Sequence, residues 1–277
     1  MAKFNTYVQY PSEGTGLAEQ ALLTVWGSLS RFHEELVLVG GLAVKLVTRP
    51  PQGSLPGPVT MDVDLGIHMG VDSRLYSSLR ESLQSQGFDW QGQRFVRQVN
   101  RLELFVDLLT DGETEMSSVI VDDSLPVAVI PGISRALDKA EYIHLEGLNL
   151  LGAACSESIR VAGPGPLLVL KLNAFGGPTG RRAGKDAHDI LYLVQNHRAG
   201  VIKVVQAFRE EKACNNRGIA GARSALESYF LTEDAEGPMA CAAFRLNNLH
   251  MSPEHREEAL RIRQQCVTLA EELLAII

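Results

Sequence analysis

Thr60-Met61-Asp62-Val63-Asp64-Leu65-Gly66-Ile67 is the stretch whose reading decides the fold. Its odd positions are apolar and its even positions polar or small, and this period of two marks a half-buried β-strand. Side chains two residues apart leave a strand on the same face, so Asp62 and Asp64 project together, one strand repeat apart. A second alternating stretch runs through Leu102, Leu104, Val106 and Leu108, with Glu103, Phe105 and Asp107 on its opposite face. Two carboxylates on one strand and a third on another concentrate negative charge. Such a cluster is costly unless a cation neutralises it or one carboxyl is protonated.

Upstream, Leu17, Ala21, Leu22 and Trp26 stand at helical spacing and predict a helix over 17–33. Leu36-Val37-Leu38-Val39 is a continuous apolar run that stops at Gly40-Gly41, the pattern of a buried strand ending in a tight turn. Leu42 to Val47 reads as the start of a helix, and Pro50, Pro51, Gly53, Pro56, Gly57 and Pro58 as an irregular loop. Downstream, Leu75, Leu79 and Leu83 predict a helix over 74–86 closed by Gly87. Residues 88–99 read as a hairpin turning at Gln91-Gly92, with Arg94 and Arg97 on opposite strand faces. Shorter strands are expected at 118–121, 126–130, 141–145 and 158–162.

After Pro164-Gly165-Pro166 the pattern turns helical, with helices expected over 167–175, 184–196, 201–212, 220–230 and 253–277. The sequence therefore predicts an α+β protein. A mixed β-sheet flanked by helices occupies 1–163, and a C-terminal helical bundle occupies 164–277.

The whole-chain properties set bounds. With 277 residues, 45% of them hydrophobic and 21% charged, the chain can bury a full core and is not composed like a disordered protein. A net charge of −7 does not suggest a surface coated for nucleic acid, though it leaves a local basic patch open. The N-terminal segment carries no apolar core of a secretory signal, and no apolar run approaches the ~18 residues of a membrane span. Cys155, Cys214, Cys241 and Cys266 are scattered with no CxxC spacing, as expected of reduced thiols in a cytoplasmic protein.

Hard oxygen donors in this number suit Mg²⁺ or Mn²⁺, and two such ions can clamp the attacking and leaving oxygens of a phosphoryl displacement. The Gly40-Gly41 turn adds backbone amides at a helix start, where a phosphate can approach closely because no Cβ intervenes. A DxD pair alone is also found on solvated strand faces, and a GG pair alone is usually only a turn. The order strand, GG, helix, loop, TxDxD, helix, hairpin, strand with Asp is far more specific.

That order resembles the active-site elements of the DNA-polymerase-β superfamily of nucleotidyltransferases. The segments concerned are LVLVGGLAVKLV (36–47), TMDVDLGI (60–67) and LELFVDLL (102–109). Within it, VLKLNAFGGPTGRRAGKDAHDILYLV (169–194) is similar to the lysine helix and KD-x-x-D helix of the AbiEii-type abortive-infection and toxin–antitoxin enzymes. The resemblance spans 36–194 and is loose between the third aspartate and the lysine helix. It implies that Asp62, Asp64 and Asp107 are metal ligands and catalytic residues, and that Gly40 and Gly41 hold nucleotide phosphates. Lys171 and Lys185 are implied as nucleotide contacts. Gly41 stands where many members have serine, and the interval from Gly41 to Asp62 is longer than usual.

The expected activity is transfer of a nucleoside monophosphate from an NTP to an acceptor hydroxyl on tRNA, protein or a small molecule, with Asp107 as general base. The resemblance further implies a toxin role with a partner antitoxin protein, and no membrane partner. Without the resemblance, Lys171 reads as a lysine snorkelling from an apolar helix, and Arg181, Arg182 and Lys185 read equally as contacts for phosphate or polynucleotide or as a solvated basic helix start. Asp186 and Asp189, three apart on one helix face, read as holding Lys185 or its basic neighbours in place rather than as metal ligands. The alternative from another class is a catalytically silent nucleotidyltransferase fold used for binding or regulation. The retention of all three carboxylates weighs against it. A phosphohydrolase would be expected to place histidines beside the aspartates, which this chain does not.

Overall fold

The computed structural model describes residues 4–49, 57–68, 73–92, 94–113, 116–121, 125–177 and 180–277. Most of the expected Pro/Gly loop (50–56) and Pro178-Thr179 lie outside them. The chain divides into two compact units. One comprises Ser12–Leu46 and Val59–Gly163, and the other joins Met1–Pro11 and Val47–Pro58 to Pro164–Ile277.

The first unit is built on a mixed sheet. In chain order its elements are α1 (Gly14–Ser28), β1 (Leu36–Val39), α2 (Gly40–Val47), β2 (Asp62–Ile67), α3 (Ser73–Ser85), β3 (Asp89–Gln91), β4 (Arg94–Val99) and β5 (Leu102–Thr110). Then come β6 (Met116–Val121), β7 (Leu125–Val129), α4 (Ile133–Asp138), β8 (Ala140–Leu148) and β9 (Ala154–Ala162). The strand order is β3-β4-β5-β2-β1-β9-β8, and β7 pairs with both β5 and β6. β2 runs parallel to β5 and antiparallel to β1, so the two alternating stretches of the sequence are sheet neighbours. α1 packs against β8 and β9, and α4 against β1 and β2. Asp111, just past β5, ties down the start of α4 by accepting from the Gly132 amide at 2.8 Å and from the Ser134 hydroxyl.

The second unit holds α5 (Pro164–Gly176), α6 (Gly184–Asn196), α7 (Val201–Ala213), α8 (Ile219–Tyr229), α9 (Glu236–Arg245) and α10 (Arg256–Leu274). α5 packs against α7 and α8, α6 against α9, and α9 against α10. Pro164 opens α5, a position where a missing N–H costs nothing. Among the described residues, no helix is long and apolar enough to cross a membrane.

Several elements depart from the sequence reading. The opening helix ends at Ser28 instead of 33, because Leu29 leaves helical geometry (φ −103°, ψ 24°) and Ser30–Glu35 tightens into a 3-10 turn. His33 then folds back to the Trp26 carbonyl at 2.8 Å and stacks on its indole. The β8–β9 hairpin pairs nine residues per strand and is longer than its apolar segments suggest. α9 is not legible in the sequence, because Gly237-Pro238 reads as a helix breaker. A proline in a first helical turn is nonetheless compatible with a helix. The brief α4 also escaped the periodicity.

Candidate active site

The centre of the sheet places the predicted aspartates by pairing. β2 and β5 are in register with Asp62 opposite Phe105 and Asp64 opposite Asp107, so all four side chains share one face. On the other side of β2, Val39 pairs with Asp64, and Gly40 follows directly. Gly40 sits at φ +72°, a left-handed conformation that glycine adopts without cost. A Cβ at Gly40 would lie 1.8 Å from Asp64 Oδ2, so the glycine clears the space this carboxylate occupies. Gly41 is buried in the first turn of α2. The GG turn and the DxD strand therefore meet at Asp64.

Arg94 is brought to the same cluster by the other hairpin. Val99 pairs with Leu102 across the two-residue turn Asn100-Arg101, whose φ values of 50° and 77° are both positive, as a type I′ turn requires. Counting back along the ladder, Phe95 pairs with Val106, and Arg94 comes next, beside Asp107. Its Nε donates to Asp107 Oδ1 at 2.8 Å, and one Nη donates to Asp107 Oδ2 and to Asp62 Oδ1, the latter at 3.2 Å. The guanidinium lies 4.1 Å from the centroid of the Phe105 ring, a cation–π contact.

The electrostatics follow from this crowding. Burial, the Asp64 charge and the Asp62 charge together outweigh Arg94 and push the Asp107 carboxyl up to about 6. Burial works against the Arg94 charge, but Asp107, Asp62 and Asp64 more than offset it, and its pKa is raised. Among the described residues, no three His, Cys, Asp or Glu side chains close tightly enough to hold a metal ion. As folded here, the cation that gathers Asp62 and Asp107 is the guanidinium of Arg94.

Lys171 and Lys185 lie in the helical unit, on α5 and α6, and the structure brings them to each other. Both ammonium groups donate to Asp189 Oδ2, at 2.6 and 2.7 Å. Lys171 also lies 3.6 Å from Asp186 Oδ1, and Arg181 donates to Asp186 Oδ2 at 3.0 Å. The two lysine side chains are 6% and 2% exposed, and both aspartates are fully buried. Burial alone would raise Asp189, yet Lys171 and Lys185 outweigh it and hold the carboxyl below its ordinary value.

No family model matches the sequence, and no curated protein does. Among solved structures, the chain is similar to the antibiotic-resistance factor ANT(2'')-Ia. The match covers 73% of this chain and 94% of that one, with 12% identity and a TM-score of 0.38. The functional reading therefore rests on the side chains of the sheet itself. The residue that the sequence reading left without a role is Arg94. Its signal was present: a tight turn at Asn100-Arg101 fixes the hairpin register, and the register carries Arg94 to Asp107.

Proposed function

We propose that this chain is a metal-dependent nucleotidyltransferase that moves a nucleoside monophosphate from an NTP to an acceptor hydroxyl. The observation that carries the proposal is the cross-strand pair Asp64–Asp107, with Gly40 cleared against Asp64. Three carboxylates gather here, two of them on the Arg94 guanidinium, and hard oxygen donors of this kind suit a divalent cation. Asp62, Asp64 and Asp107 would hold Mg²⁺ or Mn²⁺, and such an ion supplies charge neutralisation for phosphoryl transfer.

The chain's own groups have distinct parts. Asp107 would serve as the general base that accepts the proton of an acceptor hydroxyl. Gly40 and Gly41 offer a close backbone approach for phosphate at the start of α2. Lys171 and Lys185, read from the sequence as nucleotide contacts, are buried in the helical unit, where both donate to Asp189. The acceptor classes are tRNA, protein and small molecules. The similarity to AbiEii-type sequences adds a toxin role restrained by an antitoxin.

A second reading, a silent fold used for binding, draws on Arg94, which already bridges two of the three carboxylates. One experiment separates the two. Purified protein is incubated with each labelled NTP, Mg²⁺ or Mn²⁺, and total tRNA or cell extract, with Asp64→Asn as control. Label transferred by wild type and not by the variant supports the enzyme. No transfer from any NTP supports the silent fold. For the toxin role, expression should slow bacterial growth and Asp64→Ala should relieve it. Normal growth with abundant wild-type protein rules that role out.

A further inference from the structure

We infer that Arg94 is the built-in counter-ion of the Asp62–Asp64–Asp107 cluster, and that a divalent cation enters only by displacing its guanidinium. The inference rests on the nucleotidyltransferase reading and concerns how the metal site is regulated. Two observations support it. Arg94 donates to both outer carboxylates of the cluster, so its charge stands between the ligands a metal would need. The described residues offer no ready three-ligand cage, as expected if the guanidinium holds Asp62 and Asp107 to itself. The net affinity of a divalent ion would be reduced by the Arg94 hydrogen bonds it has to break.

Arg94 is placed for this by packing as well as charge. Its guanidinium lies over Phe105, which pairs with Asp62, so the flat cation is anchored on the face that carries the acids. Lysine could supply the charge but not the fork that reaches Asp62 and both oxygens of Asp107. A purely structural tie between β4 and β5 would not need the Asp62 contact, because the strand ladder already joins them.

Mn²⁺ binding to the full chain, followed by electron paramagnetic resonance without nucleotide, tests this on wild type, Arg94→Gln and Arg94→Lys. The expected result is a Kd for Arg94→Gln lower than wild type by about tenfold or more, with Arg94→Lys in between. In thermal melts, metal-free Arg94→Gln should unfold earlier than wild type, and Mn²⁺ should raise its melting temperature by more than it raises that of wild type. Equal or weaker Mn²⁺ affinity in Arg94→Gln overturns the inference and leaves the metal site standing. Failure of all three proteins to bind Mn²⁺ overturns the metal reading and this inference together. Should Arg94→Gln fail to fold without metal, Arg94→Lys decides. A Kd below wild type supports the inference, and an unchanged Kd overturns it.

Discussion

Two clusters of charge lie inside this chain, one in each unit, and they are built on opposite plans. In the helical unit, Lys171, Lys185 and Arg181 meet Asp186 and Asp189, and the carboxylates have no exposed surface at all. In the sheet unit, Arg94 bridges Asp62 and Asp107 beside Asp64, and the Asp62, Asp107 and Arg94 side chains remain 14%, 26% and 19% exposed. The first cluster sets three cations against two buried carboxylates, as buried charge has to be paired if it is not to unfold the protein, although Asp189 Oδ1 accepts no hydrogen bond among the described residues. The second is partly open to solvent. Buried ion pairs of the first kind are a structural arrangement, whereas the partly exposed carboxylates of the second are the ones proposed above to hold a metal ion.

The comparison breaks most readily at Lys171. Lys171→Ala leaves Asp189 buried with one fewer partner and is expected to cost about 3–5 kcal/mol, read by urea denaturation. A loss below about 1 kcal/mol would mean that the helical cluster is not structural and would free Lys171 for nucleotide binding.

Acid should move the two units in opposite directions. His188 in α6 is completely buried, and its imidazole is pushed down to about 3 by burial and by Arg245, which donates to its Nδ1 at 2.9 Å. Below pH 6.5 the unfolded chain takes up a proton that folded His188 refuses, so stability falls as pH drops toward 3, by about 2 kcal/mol at pH 5. Asp107 behaves inversely. With its pKa raised from 3.8 to about 6, the folded state takes up a proton before the unfolded state does, and acidification across that window is stabilising. Melting temperatures of His188→Gln and Asp107→Asn between pH 4 and 8 check both signs. His188→Gln should flatten the acid decline and Asp107→Asn should steepen it. Slopes unchanged from wild type would remove the contrast.

Asp64→Asn sharpens the comparison from the other side. It removes one of two like charges directly opposite each other, so metal-free stability should hold or rise by about 0.2–1 kcal/mol. The Mn²⁺ shift in melting temperature should disappear. A clear loss of stability with an intact metal response would make Asp64 a structural residue like Asp111.

The smallest effect is expected at the hairpin that delivers Arg94. Arg101 holds φ +77°, which glycine tolerates better than a residue with a Cβ. Arg101→Gly should therefore gain up to about 1 kcal/mol without altering Mn²⁺ affinity, because the register it fixes stays the same. A changed affinity would show that the turn tunes the site as well as forming it.

What the sequence determined by itself is local. A period of two put Asp62 with Asp64 on one strand face and Asp107 on the polar face of another. The GG pair after an apolar run marked the end of a buried strand, and the change after Pro166 marked the onset of helices. These readings needed only the alternation of side chains along a single strand and the conformational habits of glycine and proline. What only the tertiary structure decided is which faces meet. Pairing of β2 with β5 set Asp64 opposite Asp107, and pairing of β1 with β2 set Gly40 against Asp64. The β4–β5 ladder carried Arg94 into the cluster, and the packing of α5 with α6 gathered two lysines on Asp189. The physical reason is that periodicity fixes the direction of a side chain relative to its own backbone. The partner of a charge is set by contacts between residues far apart in the chain, and these exist only once the sheet and the helices have assembled.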